Sequence, residues 1–201
     1  MTTLTATMPP VSTHISYSQI RAWCDCPLEH YLSRRYQPEF VSSGLRFGSS
    51  FHRAAECFYQ ARLEGRQVKL EELQETFDQT WAIDDETPLK LKEGESQQAL
   101  KNLSGRMLAV FYKKARPGRV LAVEERLLIE LEGDLPPVSV VIDLIEADDE
   151  KVSIVDFKTS KAKPTASSVD PEQLLLYALA VRRAGLLNDL GLPLTLQRYY
   201  C

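Results

Sequence analysis

The chain has 201 residues, 44% hydrophobic and 26% charged, which is ordinary for a globular protein and enough to bury the core of one domain. Its formal net charge of -4 carries no global basic signal and, taken alone, argues against nucleic acid as a partner. There is no secretory leader pattern and no apolar run of membrane-spanning length, so the expectation is a cytoplasmic chain with reduced thiols and no membrane partner.

In chain order, residues 1–14 are polar with a Pro pair and read as a flexible tail, ahead of a single domain over 15–201. Ser16 with Gln19 three residues on is a capping box that opens a helix through "SYSQIRAW". Pro27 breaks that helix and starts the next, "PLEHYLSRRY". A helix through "RFGSSFHRAAECFYQARLEG" carries Phe51, Ala55 and Phe58 as its apolar stripe and stops at Gly65. "LEELQETFDQTW" repeats the pattern with Leu70, Leu73, Phe77 and Trp81. "QQALKNLSGRMLAVFYKKA" does so with Leu100, Leu103, Met107, Val110 and Phe111.

The pattern changes at Pro117-Gly118. "RVLAVEERLLIEL", "VSVVIDLIEA" and "VSIVDFK" are β-branched and alternating, with "DDEK" as a tight turn, so an antiparallel meander is expected. "TSKAKPTASS" is a basic loop. Asp170 caps a helix, "PEQLLLYALAVRRAG", with Pro171 first and Gln173 at the box position, and "LPLTLQRYY" is a last strand. The stop at Cys201, directly after that strand, reads as a truncated chain or a fold whose final elements are missing. Helices, a meander, a helix and a strand make an α/β (α+β) fold, a mixed sheet flanked by helices with an N-terminal helical region.

Four cysteines are present: Cys24, Cys26, Cys57 and Cys201. Cys24-Asp-Cys26 has one intervening residue, not the two of zinc knuckles or redox pairs, and reads as small buried hydrophobes.

The chemistry concentrates on two strands. Asp143 in "VVIDLIE" and Asp156 in "IVDFK" lie 13 residues apart on strands joined by a tight turn. Paired carboxylates repel unless a proton or cation lies between them, and oxygen ligands suit a hard cation such as Mg²⁺ or Mn²⁺. The competing reading is two surface acids near a turn, weakened by the apolar strand sequence around both. Strand alternation puts Lys158 on the face of Asp156, where an ammonium can stabilise charge on a phosphoryl oxygen. His52 lies one turn into a helix, and Gln173 and Tyr177 share a helical face at i, i+4. Each alone is bland: a surface histidine paired with Glu56, a cap, a packed aromatic.

In this order, G-x-x-x-H, the "IDLI" acid, D-x-K and Q-x-x-x-Y resemble the PD-(D/E)XK nuclease superfamily, over roughly residues 16–180. The likeness is greatest to its RecB-like branch, with the CRISPR-associated exonucleases and helicase-linked repair nucleases. "SYSQIRAWCDCPLEHYL" resembles that branch's N-terminal signature. The resemblance implies a restriction-endonuclease-like core with the metal site at the edge of its sheet. It implies metal ligation by His52, Asp143, Asp156 and the backbone carbonyl of Phe157. Lys158 would act on the water or the scissile phosphate, and Gln173 and Tyr177 would position the site or the DNA backbone. Glu124 or Glu125 is a further candidate acid. Relatives often have Gly where this chain has Val140. The iron–sulfur branch uses one N-terminal cysteine, matched by Cys26, and three near the C-terminus, where this chain has only Cys201. An iron–sulfur cluster is therefore not expected in this chain as given.

The leading expectation is a Mg²⁺- or Mn²⁺-dependent DNA nuclease, an exonuclease acting on ends or single strands in repair, recombination or CRISPR-related processing, with helicases or other repair and adaptation proteins as partners. The acidic sum does not oppose this, because "KTSKAK", "KKARPGR" and Arg34-Arg35 can track phosphates. The alternative is an inactive nucleic-acid- or protein-binding module on the same scaffold. The presence of His52, Asp143, Asp156 and Lys158 together favours activity.

Overall fold

A computed structural model describes residues 13–36, 38–82, 87–115, 118–159, 171–188 and 190–200, the last three as backbone only. The tail before residue 13, Pro117, the loop at 160–168, the Asp170 cap and Cys201 lie outside the described residues.

The helices begin where the sequence supplies an oxygen for their free amides. Before α1 (Tyr17–Asp25), Ser16 Oγ accepts from the Gln19 amide at 3.3 Å, and Gln19 Oε1 accepts from the Ser16 amide at 2.9 Å. Cys26 turns the chain in extended conformation, and its Sγ accepts from the Glu29 amide at the start of α2 (Pro27–Arg35). Ser42 caps α3 (Ser43–Leu63) and Ser96 caps α5 (Gln97–Lys114). Past the end of α3, Gly65 takes φ 73°, a left-handed turn that glycine adopts without steric cost. α4 (Leu70–Trp81) and α6 (Pro171–Arg183) complete the set.

β4 (Arg119–Ile129), β5 (Val138–Ala147) and β6 (Val152–Lys158) form the expected antiparallel meander. β7 (Leu194–Tyr200) adds to β6 in parallel. The mixed sheet gains a fifth strand the sequence did not announce, β1 (Ile15–Ser16), parallel to the start of β5. A second two-strand ribbon pairs β2 (Val41–Ser42) with β3 (Leu89–Lys90).

Two apolar cores sandwich the sheet, giving helix, sheet and helix layers. On one face α3, α4 and α5 pack Phe51, Phe58, Leu73, Phe77 and Phe111 against Leu144, Val155 and Phe157. On the other, α6 packs Leu174, Tyr177 and Val181 against Ile142, Ile145, Val152 and Ile154. β6 is therefore buried on both faces, which explains its unbroken apolar run.

Two expectations change. Val110 is exposed, because the stripe that α5 buries runs through Leu100, Ser104, Leu108 and Phe111. Cys24 is exposed and Cys26 half-buried, so neither is a core hydrophobe; Cys26 serves the α2 cap instead. No side chain of α1 or α2 is buried, because these helices lie off the two cores.

Candidate active site

The site forms where the β5–β6 ladder ends. The registered pairs run from Ala147↔Val152 to Leu144↔Val155 and stop there. Beyond them the Asp143 side chain replaces the missing backbone partner: its Oδ2 accepts from the Phe157 amide at 2.7 Å. A carboxylate that receives a backbone N–H is fixed in orientation.

On the other side of β5, the pairs Val123↔Leu144 and Glu125↔Ile142 bracket Glu124 and Asp143. Glu124 has φ 50°, the sole non-glycine with positive φ among the described residues. Such a conformation is costly for a side-chain-bearing residue and concentrates at functional sites. It brings Glu124 beside Asp143 in one cleft. Glu125 lies opposite Ile142, so the geometry selects the first of the two candidate acids.

α3 brings in the third side chain. His52 Nδ1 lies 3.6 Å from Asp143 Oδ1, an ion-pair contact rather than a close hydrogen bond. His52, Glu124 and Asp143 each offer a ligand atom, and these atoms all lie within 4.8 Å of one another. They open into a cleft of about 640 Å³ lined also by Gly44, Gly48, Arg53, Glu56 and Thr159. The bland alternative for His52, a surface pair with Glu56, is not the arrangement found: His52 meets Asp143, and Glu56 pairs with Arg53.

The electrostatics follow from this crowding. Contact with Asp143 raises the His52 pKa, against the opposing effect of burial, and the Asp143 and Glu124 charges add to it. Burial raises Glu124 to about 6, and repulsion from Asp143 and Glu56 contributes. Two carboxylates and an imidazole this close form an oxygen-rich donor set that fits a divalent cation.

Asp156 and Lys158 share a face of β6, as alternation requires. Lys158 Nζ lies 3.0 Å from Asp156 Oδ1 and 2.9 Å from Oδ2. The Asp156 side chain is 3% exposed and that of Lys158 37%, so the carboxylate is sequestered while the ammonium reaches the surface. Asp156 is not part of the group of ligand atoms within 4.8 Å. Phe157 contributes its amide to Asp143 and its ring to the aromatic core, stacked on Tyr59 at 5.7 Å. On α6, Gln173 Nε2 donates to the Tyr177 hydroxyl at 2.7 Å, and the Tyr177 ring is buried in the α6-side core. Neither residue lines the cleft that holds His52.

A model of the PD-(D/E)XK nuclease superfamily matches residues 14–201. The chain belongs to the PD-(D/E)XK nuclease superfamily. A search of the curated proteins gives no match. The mixed sheet flanked by helices is the restriction-endonuclease-like core expected of this superfamily. Membership implies nuclease-type phosphodiester hydrolysis, a nucleic-acid substrate and a divalent metal, for which His52, Glu124 and Asp143 supply a fitting donor set. No helix among the described residues is long and apolar enough to cross a membrane.

Sequence reasoning missed Arg53 and Glu56 as cleft residues, while Gly48, the glycine of G-x-x-x-H, and Thr159, at the start of the basic loop, do line the cleft. A signal was available for Glu56, which lies one helical turn after His52 on the same face of α3, as Gly48 lies one turn before it.

Proposed function

We propose that this chain is a divalent-metal-dependent deoxyribonuclease that acts on strand ends or single strands, as a cytoplasmic exonuclease of the RecB-like branch. The observation that carries this reading is the gathering of His52 from α3, Glu124 from β4 and Asp143 from β5 in one cleft, at the end of the β5–β6 ladder, with the Asp156–Lys158 pair following the last registered residue, Val155.

In this reading His52, Glu124 and Asp143 hold the metal, Mg²⁺ or Mn²⁺, joined by Asp156 and the Phe157 carbonyl. A bound divalent ion supplies Lewis acidity and lowers the pKa of water. The Phe157 amide holds the Asp143 carboxylate in one orientation. Asp156 holds the Lys158 ammonium at the strand end, and Lys158 stabilises the negative charge that develops on the scissile phosphate. The Gln173–Tyr177 hydrogen bond fixes a polar pair on α6 that positions the DNA backbone. Repair, recombination or CRISPR-related processing is the setting proposed for this activity, with helicases or other repair and adaptation proteins as partners.

The test is cleavage of end-labelled linear single- and double-stranded DNA, and of circular single-stranded DNA, with Mg²⁺, Mn²⁺ or chelator. Wild type is expected to degrade linear DNA with metal and spare the circles. Asp156→Ala and Lys158→Ala are expected to lose cleavage while keeping their fold by circular dichroism. Cleavage of circles would replace the exonuclease assignment with endonuclease action. A folded wild type that binds DNA and metal without cutting would overturn the enzymatic reading.

A further inference from the structure

The cleft that holds the proposed metal ligands is electrostatically lopsided. Its described lining includes three carboxylates, Glu56, Glu124 and Asp143, and a single permanent cation, Arg53. A nucleic-acid strand carries one negative charge per phosphate. A cleft with this balance repels such a strand unless a cation beyond the metal meets it. Lys158, held by Asp156 and assigned above to the scissile phosphate, does not line the cleft, so the neighbouring phosphates need another cation.

Arg53 follows His52 directly on α3, so its position is tied to that of a proposed ligand. Its side chain is 59% exposed, and its Nη1 is paired with Glu56 one turn on. The Glu56 contact raises the Arg53 pKa, and Glu124 adds a smaller effect in the same direction, so the guanidinium also lies in the field of the site. An exposed i,i+3 ion pair contributes little to stability. A phosphate, by contrast, takes a guanidinium in a bidentate, charge-assisted fork. Glu56 is therefore a weak holder that a stronger acceptor displaces.

We propose that Arg53 is the substrate-phosphate clamp of this cleft, held by Glu56 in the free protein and transferred to a backbone phosphate beside the scissile one when a strand enters. Glu56 is in this account a positioning residue that keeps the guanidinium at the cleft wall. The assignment rests on the nuclease reading above and deepens it by naming a group that contacts the substrate.

The experiment measures kcat and KM on a single-stranded oligonucleotide with Mg²⁺ across a salt series, for wild type, Arg53→Ala, Arg53→Lys and Glu56→Gln. Arg53→Ala is expected to raise KM by roughly tenfold or more, the loss of one charge-assisted contact, with kcat changed far less. The slope of log(1/KM) against log[salt] should fall by about 0.7, the share of one phosphate contact on a single strand. Arg53→Lys should restore the salt slope but only part of the KM, because an ammonium keeps the charge and loses the fork. Glu56→Gln should lower KM in the wild-type background and have no such effect alongside Arg53→Ala. An unchanged KM and salt slope in Arg53→Ala, with wild type active, would overturn the clamp and leave the nuclease reading standing. An inactive wild type with intact metal binding would overturn the nuclease reading and the clamp with it.

Discussion

Glu124 concentrates the physical tension of this site. Its backbone is left-handed, its carboxyl is half-buried, and two other carboxylates face it. Its folded pKa of about 6 lies above the ordinary 4.5. Between those pH values the folded chain binds more protons than the unfolded chain, so stability falls as pH rises. The raised pKa of His52 acts in the same direction, its contribution being lost as pH rises through the folded value. In chelator, Glu124→Gln is expected to raise Tm relative to wild type at about pH 7.5 and to change it little at about pH 4. With millimolar Mg²⁺ at the higher pH the order should reverse, because the ion stabilises only a chain that binds it. Melts followed by circular dichroism check this; one Tm difference across all these conditions would remove Glu124 from the charge cluster.

At the scale of elements, β5 is the organising strand. It pairs with β4 along its whole length, with β1 at one end and with β6 at the other, and Asp143 lies just beyond the β6 ladder. The hairpin that sets this register is closed by Asp148, whose Oδ1 accepts from the amides of Glu150 and Lys151 at 2.9 Å each. These two bonds lower its pKa, so its support is present at neutral pH and lost as pH falls through the depressed folded value. At the same end, Gly118 lies so close to the Ala147 carbonyl that any Cβ would overlap backbone. Gly118→Ala is expected to destabilise by about 1–3 kcal/mol, read by urea unfolding. A variant as stable as wild type would show that the β4–β5 end can shift without cost.

Across the whole molecule, two cores meet through a sheet buried on both faces. Phe58 is fully buried in the larger core, edge-to-face with Tyr59, Phe111 and Tyr112. Phe58→Ala is expected to cost about 3–5 kcal/mol through lost burial and the cavity left behind, measured as a shift in the urea midpoint. A cost below about 1 kcal/mol would mean that this layer repacks freely. The larger core aligns site residues that are remote from one another in sequence: His52 on α3 reaches Asp143 because aromatic packing seats that helix on the sheet.

Much of this was readable in the chain. The spacing of Leu73, Phe77 and Trp81, the Ser16–Gln19 box and the alternation around Asp156 and Lys158 are local, and local backbone geometry imposes the same periods in any fold. The ordered set from His52 to Tyr177 carried the family, because the chemistry restricts the residue types and a shared chain topology fixes their order. Other features depended on contacts between distant segments. The end of the β5–β6 ladder, the left-handed turn at Glu124 that selects it over Glu125, and the exposure of Val110 each follow from which strand or helix lies alongside. The Arg53–Glu56 pair is itself local, at i, i+3 on α3, but its place on the cleft wall is set by the same packing. Local sequence determines which face a side chain takes on its own element. Only tertiary packing decides what that face meets, because register and layer contacts are fixed by burial summed over the whole chain.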